Sequence, residues 1–291
     1  MKNIKMVVFD MDGTLLDQNS QISPRTFQVL DQLLKKGILV TFASGRNHAS
    51  LSKFALEIDL KKYGGWLIGV NGQQIAKPAN GFSQVLKNLS PRLNKKALKY
   101  AIEKDLEYIS VLDKELYAYL SPRIMAKKKA YIKEHNLSEE AYTGGVFGPI
   151  NPQRNYPTIN YLNSLDDLPD ISCNKVVFTE EPEVIQPLRE EIDELFQGEI
   201  DFAFTSPRWY EGMPAGINKG AALKLIAEKE GIKLEEIIAF GDGENDIPML
   251  QVAGTGVAMA NAMDTVKAQA DVIALSNQED GVAVILEQIL V

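Results

Sequence analysis

Residues 6–14 read MVVFDMDGT, a short apolar run that leads directly into two carboxylates, a glycine and a threonine. An apolar run of this length, ending at Phe9, is typical of a buried strand. Because alternate residues of an extended segment face the same side, Asp10 and Asp12 are expected to converge on one site, and Gly13 allows the chain to turn sharply away. The pattern alone leaves a second interpretation open, in which Asp and Gly only end the strand in a turn.

A second apolar run, IIAF at residues 237–240, leads into GDGEND at residues 241–246. Acidic side chains again follow directly after a predicted strand. The sequence IPML at residues 247–250 then indicates the start of a helix, because proline is tolerated in the first helical turn. Asp246 is compatible with capping that helix, but capping does not account for Asp242. Two such strand ends favour a shared acidic site.

Two further segments carry groups suited to binding an anion. Residues 38–43 (ILVTFA) predict a strand that ends at Ser44-Gly45-Arg46, where a helix begins and exposed backbone N–H groups can bind phosphate. Ser44 could equally be the N-cap of that helix. Lys219 lies at the start of a helical stretch predicted over residues 221–229, where its positive charge opposes the helix dipole. Because a cation is unfavourable at a helix N-terminus, its presence there predicts an anion beside Lys219.

Strand and helix patterns alternate near both ends of the chain. Ser23-Pro24, followed by spaced apolar residues and closed by Gly37, predicts a capped amphipathic helix between the first two strands. Strands joined by helices favour crossover connections and a parallel sheet, hence an α/β fold. Ligands of such sheets bind beyond the carboxyl ends of the strands, where the polar segments described above lie.

The middle of the chain, from about Gln84 to Glu211, has a different pattern. Short strand candidates occur there among helical stretches rich in Lys and Glu, which indicates an α+β insertion. The strand candidates are residues 108–112, 115–120, 158–162, 175–179 and 200–204.

Four segments resemble, in chain order, the four motifs of the haloacid dehalogenase superfamily of phosphohydrolases: Asp10-Asp12-Thr14, Ser44, Lys219, and Asp242-Asn245-Asp246. Ser44-Gly45-Arg46, Asn71-Gly72 and the Gly-rich approach to Lys219 are similar to the Cof-type branch with a large subfamily IIB cap. The resemblance implies a Rossmann-like parallel-sheet catalytic core formed by residues 1–83 and 213–291. Residues 84–212 would form an inserted α+β cap that closes over the site and selects the substrate.

The resemblance also assigns chemical roles. Asp10 would attack the phosphorus atom of a phosphate monoester and form an aspartyl-phosphate. Asp12 would protonate the leaving oxygen and then deprotonate the hydrolytic water. Thr14 would orient Asp12, or it would be an ordinary threonine at the strand end. Superfamily members that transfer phosphoryl groups have Asp at the position of Asp12, whereas the dehalogenating members lack it, so dehalogenation is not expected.

A magnesium ion is implied as the cofactor, because phosphate cannot approach bare carboxylates. Its protein ligands would be a carboxylate oxygen of Asp10, the backbone carbonyl of Asp12 and a carboxylate oxygen of Asp242, with Asn245 and Asp246 positioning them. Ser44 and Lys219 would hold the non-reacting phosphate oxygens.

Other residues are expected at the phosphate- or substrate-binding edge of the site: Gly45, Arg46, Asn71, Gly72 and Asn245. The alternatives are a surface ion pair for Arg46 and a turn residue before Gly72 for Asn71.

Composition limits the classes of function. The 291 residues are 45% hydrophobic and suffice for about two domains. A formal charge of −8 disfavours nonspecific binding to nucleic acid or to anionic membranes. Cys173 is the single cysteine, so no intramolecular disulfide is possible, and no apolar stretch approaches the length of a membrane span. A cytoplasmic location is expected, and the oligomeric state is not predicted.

The sequence therefore predicts a Mg²⁺-dependent phosphatase acting on a small phosphorylated metabolite, such as a sugar, nucleotide-like or cofactor phosphate. Two alternatives remain open. One is a phosphomutase or phosphotransferase, which would pass the phosphoryl group from Asp10 to a second substrate. The other is a regulator that binds a phosphometabolite without turnover.

Overall fold

The computed structural model describes residues 4–136 and 158–290. They form two compact units. The core unit combines the chain up to Leu86 with the chain from Ile217 onward, and the inserted unit comprises Lys87–Gly216. Among the described residues, no helix is both long and apolar enough to cross a membrane.

The first part of the core unit begins with the predicted strand–helix–strand. Ser23 caps the first helix, because its side chain accepts a hydrogen bond from the backbone N–H of Thr26. The predicted helix is therefore confirmed. The elements of this part are β1 (Met6–Phe9), α1 (Pro24–Lys35), β2 (Leu39–Ala43), α2 (His48–Glu57), α3 (Leu60–Tyr63), β3 (Trp66–Gly69), β4 (Gln74–Lys77) and β5 (Phe82–Val85).

Among its described residues, the inserted unit contains a strand at each of the five predicted places and one that was not predicted. Its elements are α4 (Pro91–Lys104), β6 (Glu107–Val111), β7 (Glu115–Tyr119), α5 (Pro122–Glu134), β8 (Thr158–Leu162), β9 (Lys175–Thr179), α6 (Pro182–Ile185), α7 (Arg189–Leu195), β10 (Ile200–Ser206) and β11 (Trp209–Pro214).

Strand β11 was not predicted from the sequence, because it contains Gly212 and ends at Pro214. Glycine and proline are both unfavourable in strands. Pairing with β9 and β10 overrides this local preference. The glycine has a packing reason, since a Cβ at Gly212 would lie 2.5 Å from the ring of Phe202.

The chain then returns to the core unit. The elements of the second part are α8 (Lys219–Glu230), β12 (Ile237–Gly241), α9 (Ile247–Val252), β13 (Thr255–Ala258), α10 (Asp264–Lys267), β14 (Val272–Ile273) and α11 (Gly281–Leu290).

Within the described residues, the core unit has one eight-stranded sheet of order β14-β13-β12-β1-β2-β3-β4-β5. Neighbours from β14 to β3 run parallel, which confirms the predicted α/β fold with a parallel sheet. Strand β4 runs antiparallel to both β3 and β5, because the turns that join it to each of them are too short for a parallel crossover. Strand β1 lies between β12 and β2.

Helices cover both faces of this sheet. Successive side chains of β1 point to opposite faces, so Val7 and Phe9 belong to one apolar core, which includes Leu30 of α1. Met6 and Val8 belong to a second core. Both faces of the central strands β1 and β12 are therefore buried.

The inserted unit has a six-stranded sheet of order β10-β11-β9-β6-β7-β8 among its described residues. It is antiparallel except for the β7–β8 pair, as expected for the predicted α+β insertion. Its interior contains an aromatic cluster in which Phe178 packs against Tyr100, Tyr108, Phe196 and Phe202.

The predicted domain boundaries, after residues 83 and 212, fall inside β5 and β11, whereas the two units divide after Leu86 and after Gly216. Each of these two strands belongs entirely to one unit, because its backbone groups pair within the sheet of that unit. The assignment of the two units as catalytic core and cap stays a prediction.

Replacing Phe178 with Ala is expected to destabilise the inserted unit by about 3–5 kcal/mol, because the ring is fully buried and its loss leaves a cavity. Urea unfolding followed by circular dichroism would measure the change. The exposed Val184 provides a matched control, for which truncation to Ala should change stability by no more than about 0.5 kcal/mol. Equal effects of the two substitutions would contradict the proposed packing.

Candidate active site

Three adjacent strands of the core sheet end in polar residues identified from the sequence. Asp10 follows β1, Ser44 follows β2 and Asp242 follows β12, and β1 pairs with both other strands. Because parallel strands end at the same edge of a sheet, these three residues lie side by side. Asp10 and Ser44 are 7% and 2% exposed.

Lys219 links two of the strand-end segments through a buried contact. Its Nζ donates to Oδ1 of Asp10 at 2.6 Å and to Oδ1 of Asp246 at 2.5 Å. The lysine is fully buried and is the first residue of α8, which Asn218 caps by accepting a hydrogen bond from the N–H of Ala221. The two carboxylates thus offset the unfavourable position of a cation at a helix N-terminus.

One carboxylate oxygen from each of Asp10, Asp242 and Asp246 lies within 4.8 Å of the other two. Burial, with further contributions from Asp246 and Asp242, raises the pKa of Asp10 well above its ordinary value, although Lys219 opposes the shift. Burial and the charge of Asp246 raise the pKa of Asp242 to about 7. Burial lowers the pKa of Lys219, but Asp10 and Asp246 outweigh burial and raise it.

Three carboxylates therefore face one ammonium group, and the cluster is short of positive charge. An all-oxygen donor set of this kind fits a hard divalent cation. Asp246 already accepts hydrogen bonds on both oxygens, because its Oδ2 receives the backbone N–H groups of Asp242 and Gly243 at 3.0 Å each. This geometry suits Asp246 to holding the loop in place and leaves Asp10 and Asp242 as the better candidates for ligands.

Thr14 does not bond to Asp12 as the sequence analysis predicted. Its Oγ1 donates to Oδ1 of Asp242 at 2.8 Å. The reason is the turn at Gly13, which has φ +83° and packs so closely on Asp242 that a Cβ there would overlap the carboxylate. The turn directs Thr14 toward the neighbouring strand end.

Asp12 and Arg46 form a bidentate ion pair. Nε of Arg46 donates to Oδ2 of Asp12 at 2.7 Å, and its Nη2 donates to Oδ1. The guanidinium also lies over the ring of Phe54, 5.7 Å from its centroid. The side chain of Asp12 is 50% exposed, in contrast to the buried Asp10. The two carboxylates of the first motif therefore occupy different environments, each beside a different cation.

Ser44 is not the N-cap of the following helix. Helix α2 begins only at His48, and Asn47 caps it by accepting a hydrogen bond from the N–H of Ser50. Ser44 and Gly45 belong instead to the loop before the helix, where Oγ of Ser44 accepts a hydrogen bond from the N–H of Arg46 at 3.2 Å.

The structure also brings Asn71, Gly72 and Asn245 to this edge of the sheet. The amide of Asn245 donates to Oδ1 of Asn71 at 3.0 Å. A Cβ at Gly72 would lie 2.9 Å from the backbone nitrogen of Lys219. Asn71 is a turn residue before Gly72 and also contacts a residue of the fourth motif, whereas its contact with substrate stays a prediction.

Asn261 was not predicted as part of this region, although its side chain donates to the carbonyl of Gly13 at 2.8 Å. No local pattern marks this residue, because its partner lies far away in the sequence. Asn47 was also missed, although Asn directly before a helix is a recognisable N-cap signal.

Ionisation of Asp242 predicts a pH dependence of stability in the metal-free protein. Because the folded-state pKa of about 7 exceeds the ordinary value of 3.8, the stabilising contribution is complete at low pH and is lost as the pH rises through 7. The melting temperature in chelator should therefore fall between pH 5 and pH 8. Calorimetry at both pH values would measure it.

The Asp242→Asn substitution should reduce the fall in melting temperature between pH 5 and pH 8. It should also increase the free energy of unfolding at pH 8 by about 1 kcal/mol or more. Asn retains an oxygen acceptor for Thr14 but carries no charge. Asp59→Asn, at an exposed position of the core unit, is the matched control and should behave as the wild type. An unchanged pH slope in Asp242→Asn would refute the assignment.

Comparisons with known proteins identify the family of the chain. The family model described as haloacid dehalogenase-like hydrolase matches residues 7–286. The chain is 28% identical over 263 residues to the HMP-PP phosphatase of Serratia proteamaculans (strain 568), an alignment that covers 90% of this chain and 86% of the relative.

Solved structures show the same fold. A haloacid dehalogenase-like hydrolase from Bacteroides thetaiotaomicron superposes with a TM-score of 0.72 at 28% identity, covering 98% of this chain and 99% of that chain. A subclass IIB sugar phosphatase superposes with a TM-score of 0.76 at 22% identity, covering 99% of this chain and 100% of that chain. The predicted resemblance to the haloacid dehalogenase superfamily is confirmed by the family model, and the likeness to the subclass IIB structure shows that the fold is the same. Since the family model spans all four motifs, the chain belongs to the haloacid dehalogenase-like hydrolases.

Proposed function

We propose that the protein is a Mg²⁺-dependent phosphatase that hydrolyses phosphate monoesters of small metabolites through an aspartyl-phosphate on Asp10. The observation that carries the proposal is the buried cluster in which Lys219 holds Asp10 and Asp246 beside Asp242. Membership of the hydrolase family and the likeness to an HMP-PP phosphatase support the reaction class.

Asp10 is suited to act as the nucleophile because its carboxylate is buried and fixed in direction. Lys219 holds Oδ1 by a hydrogen bond of 2.6 Å, which orients the side chain at the end of β1. One carboxylate oxygen of Asp10 would attack phosphorus while the bond from phosphorus to the leaving oxygen breaks. Lys219 would also offset negative charge on the phosphoryl group in transfer.

The metal proposed for the acidic cluster is Mg²⁺, because the donors are oxygens and the substrate is a phosphate. Asp10, the backbone carbonyl of Asp12 and Asp242 would hold it, and when bound it would neutralise charge on the phosphate and on the carboxylates. Thr14 fixes the direction of Asp242, and Asp246 fixes the loop that carries Asp242.

Asp12 would transfer the protons of both half-reactions. It would protonate the leaving oxygen as the ester bond breaks, and it would then accept a proton from the water that attacks the aspartyl-phosphate and releases inorganic phosphate. The half-exposed position of Asp12 allows contact with a leaving group. Its ion pair with Arg46 must open for this role, so Arg46 would be released to contact the substrate.

The first test is phosphate release from a panel of phosphorylated metabolites and an aryl phosphate, with Mg²⁺ or with chelator. Release should require Mg²⁺ and should fall at least about 10³-fold in Asp10→Asn, because the nucleophile is lost. Asp59→Asn should retain wild-type rates. An isomeric phosphate ester as the product would indicate a mutase, and ligand binding without turnover would indicate a regulator; either result would contradict the proposal.

The Asp12→Asn substitution tests the proton-transfer role. The rate with alkyl phosphates should fall about 10²–10⁴-fold, because their leaving oxygen needs a proton. The first half-reaction with 4-nitrophenyl phosphate should fall less, since nitrophenolate leaves without protonation. Rapid-quench measurement of the two half-reactions would separate these effects. Equal losses in this half-reaction for both leaving groups would argue against Asp12 as the acid.

A further inference from the structure

The turn between β3 and β4 has an uncommon backbone. Val70, Asn71 and Gly72 follow one another with φ values of +47°, +51° and +101°. A β-branched residue such as valine rarely adopts positive φ, and Val70 is completely buried. Backbone of this kind persists only where the surrounding structure determines it, and it is concentrated at functional sites.

The main chain of this turn is bonded to the loop that follows β2. The N–H of Val70 donates to the carbonyl of Arg46 at 2.9 Å, and the N–H of Asn71 donates to the carbonyl of Ser44 at 2.9 Å. The turn therefore sets the position of the loop proposed to bind phosphate.

The same turn touches the start of α8. A Cβ at Gly72 would overlap the carbonyl of Asn218 and would lie 2.9 Å from the nitrogen of Lys219. Only a glycine permits this approach at φ +101°. The peptide that carries Lys219 is consequently packed directly on the turn.

The side chain of Asn71 reaches a third segment. It is 3% exposed, and its Oδ1 accepts a hydrogen bond of 3.0 Å from Nδ2 of Asn245. Asn245 directly precedes Asp246, whose carboxylate holds Lys219 and the loop of Asp242. One turn thus contacts the segments of Ser44, Lys219 and Asn245.

We propose that Asn71 is a positioning residue that acts through Asn245 to hold the metal- and phosphate-binding segments in register. This inference deepens the proposed phosphatase function and rests on it. The proposed role needs no contact of Asn71 with substrate, because the acceptor oxygen of its side chain is bonded to Asn245. Asparagine suits the position, since it tolerates the left-handed backbone and also supplies the acceptor.

A double-mutant cycle tests this coupling. Asn71→Gly preserves the left-handed backbone and removes the acceptor, Asn245→Ala removes the donor, and the third protein carries both changes. Each single substitution should lower kcat about tenfold with little change in KM, and should weaken Mg²⁺ binding measured by calorimetry by about tenfold. The double variant should lose no more than the single variants, since both remove the same interaction.

Asp59→Gly is the matched control, because Asp59 is an exposed residue of the core unit with φ +51°. It should have wild-type kcat and wild-type Mg²⁺ affinity. All variants should be compared at a temperature well below their melting transitions, so that loss of folded protein does not imitate loss of activity.

Two results would overturn the inference. Losses that multiply to about a hundredfold in the double variant would show that the two residues act independently. An Asn71→Gly protein with wild-type kcat and Mg²⁺ affinity would show that the contact has no positioning role. If the wild type hydrolyses no phosphate ester, the proposed function fails. The double-mutant cycle in Mg²⁺ affinity then still tests the role of Asn71. If the two substitutions show no coupling in Mg²⁺ affinity, the positioning role is refuted.

Discussion

The ammonium group of Lys219 is shared by Asp10 and Asp246, and the rest of the site is arranged around this buried contact. A charge with no exposure to water is tolerated only when it is paired and hydrogen-bonded. Lys219 therefore needs both carboxylates, which belong to segments far apart in the sequence. Because Asp246 also binds the backbone of the Asp242 loop, one interaction connects the ends of β1 and β12 to the start of α8.

The cluster retains more negative charge than Lys219 can balance. Burial and mutual repulsion raise the pKa values of Asp10 and Asp242, which means that the ionised site is destabilising when no cation is bound. The two apolar cores on either side of the sheet supply the stability that permits this arrangement. Strain in the turn at Val70 is a second local cost, and like the carboxylates it lies where the proposed chemistry takes place.

Several residues show which features of the site and the fold could be predicted from the sequence and which could not. Asp10, Lys219 and Asp242 could be placed from the sequence at the ends of recognisable strands or at the start of a recognisable helix, and the resemblance to the superfamily implied that they share one site. The prediction that Thr14 bonds to Asp12 was wrong. Thr14 bonds to Asp242 instead, because the Gly13 turn packs against another strand. Strand β11 was missed because pairing with two neighbours overrides the poor strand preference of Gly212. The ion pair of Arg46 with Asp12 could not be predicted from a local pattern, because the two residues are 34 positions apart in the sequence.

The sequence by itself determined the alternation of strands and helices, the parallel sheet, and the positions at which acidic, hydroxyl and lysine side chains end those elements. These features follow from local patterns of apolar residues, caps and turns, which act over a few residues. The tertiary structure alone decided which side chains bond to one another: Lys219 with Asp10 and Asp246, Thr14 with Asp242, and Asn71 with Asn245. Such pairings depend on strand order and on the packing of distant segments, and both are set by the burial of the whole chain rather than by any one stretch of it.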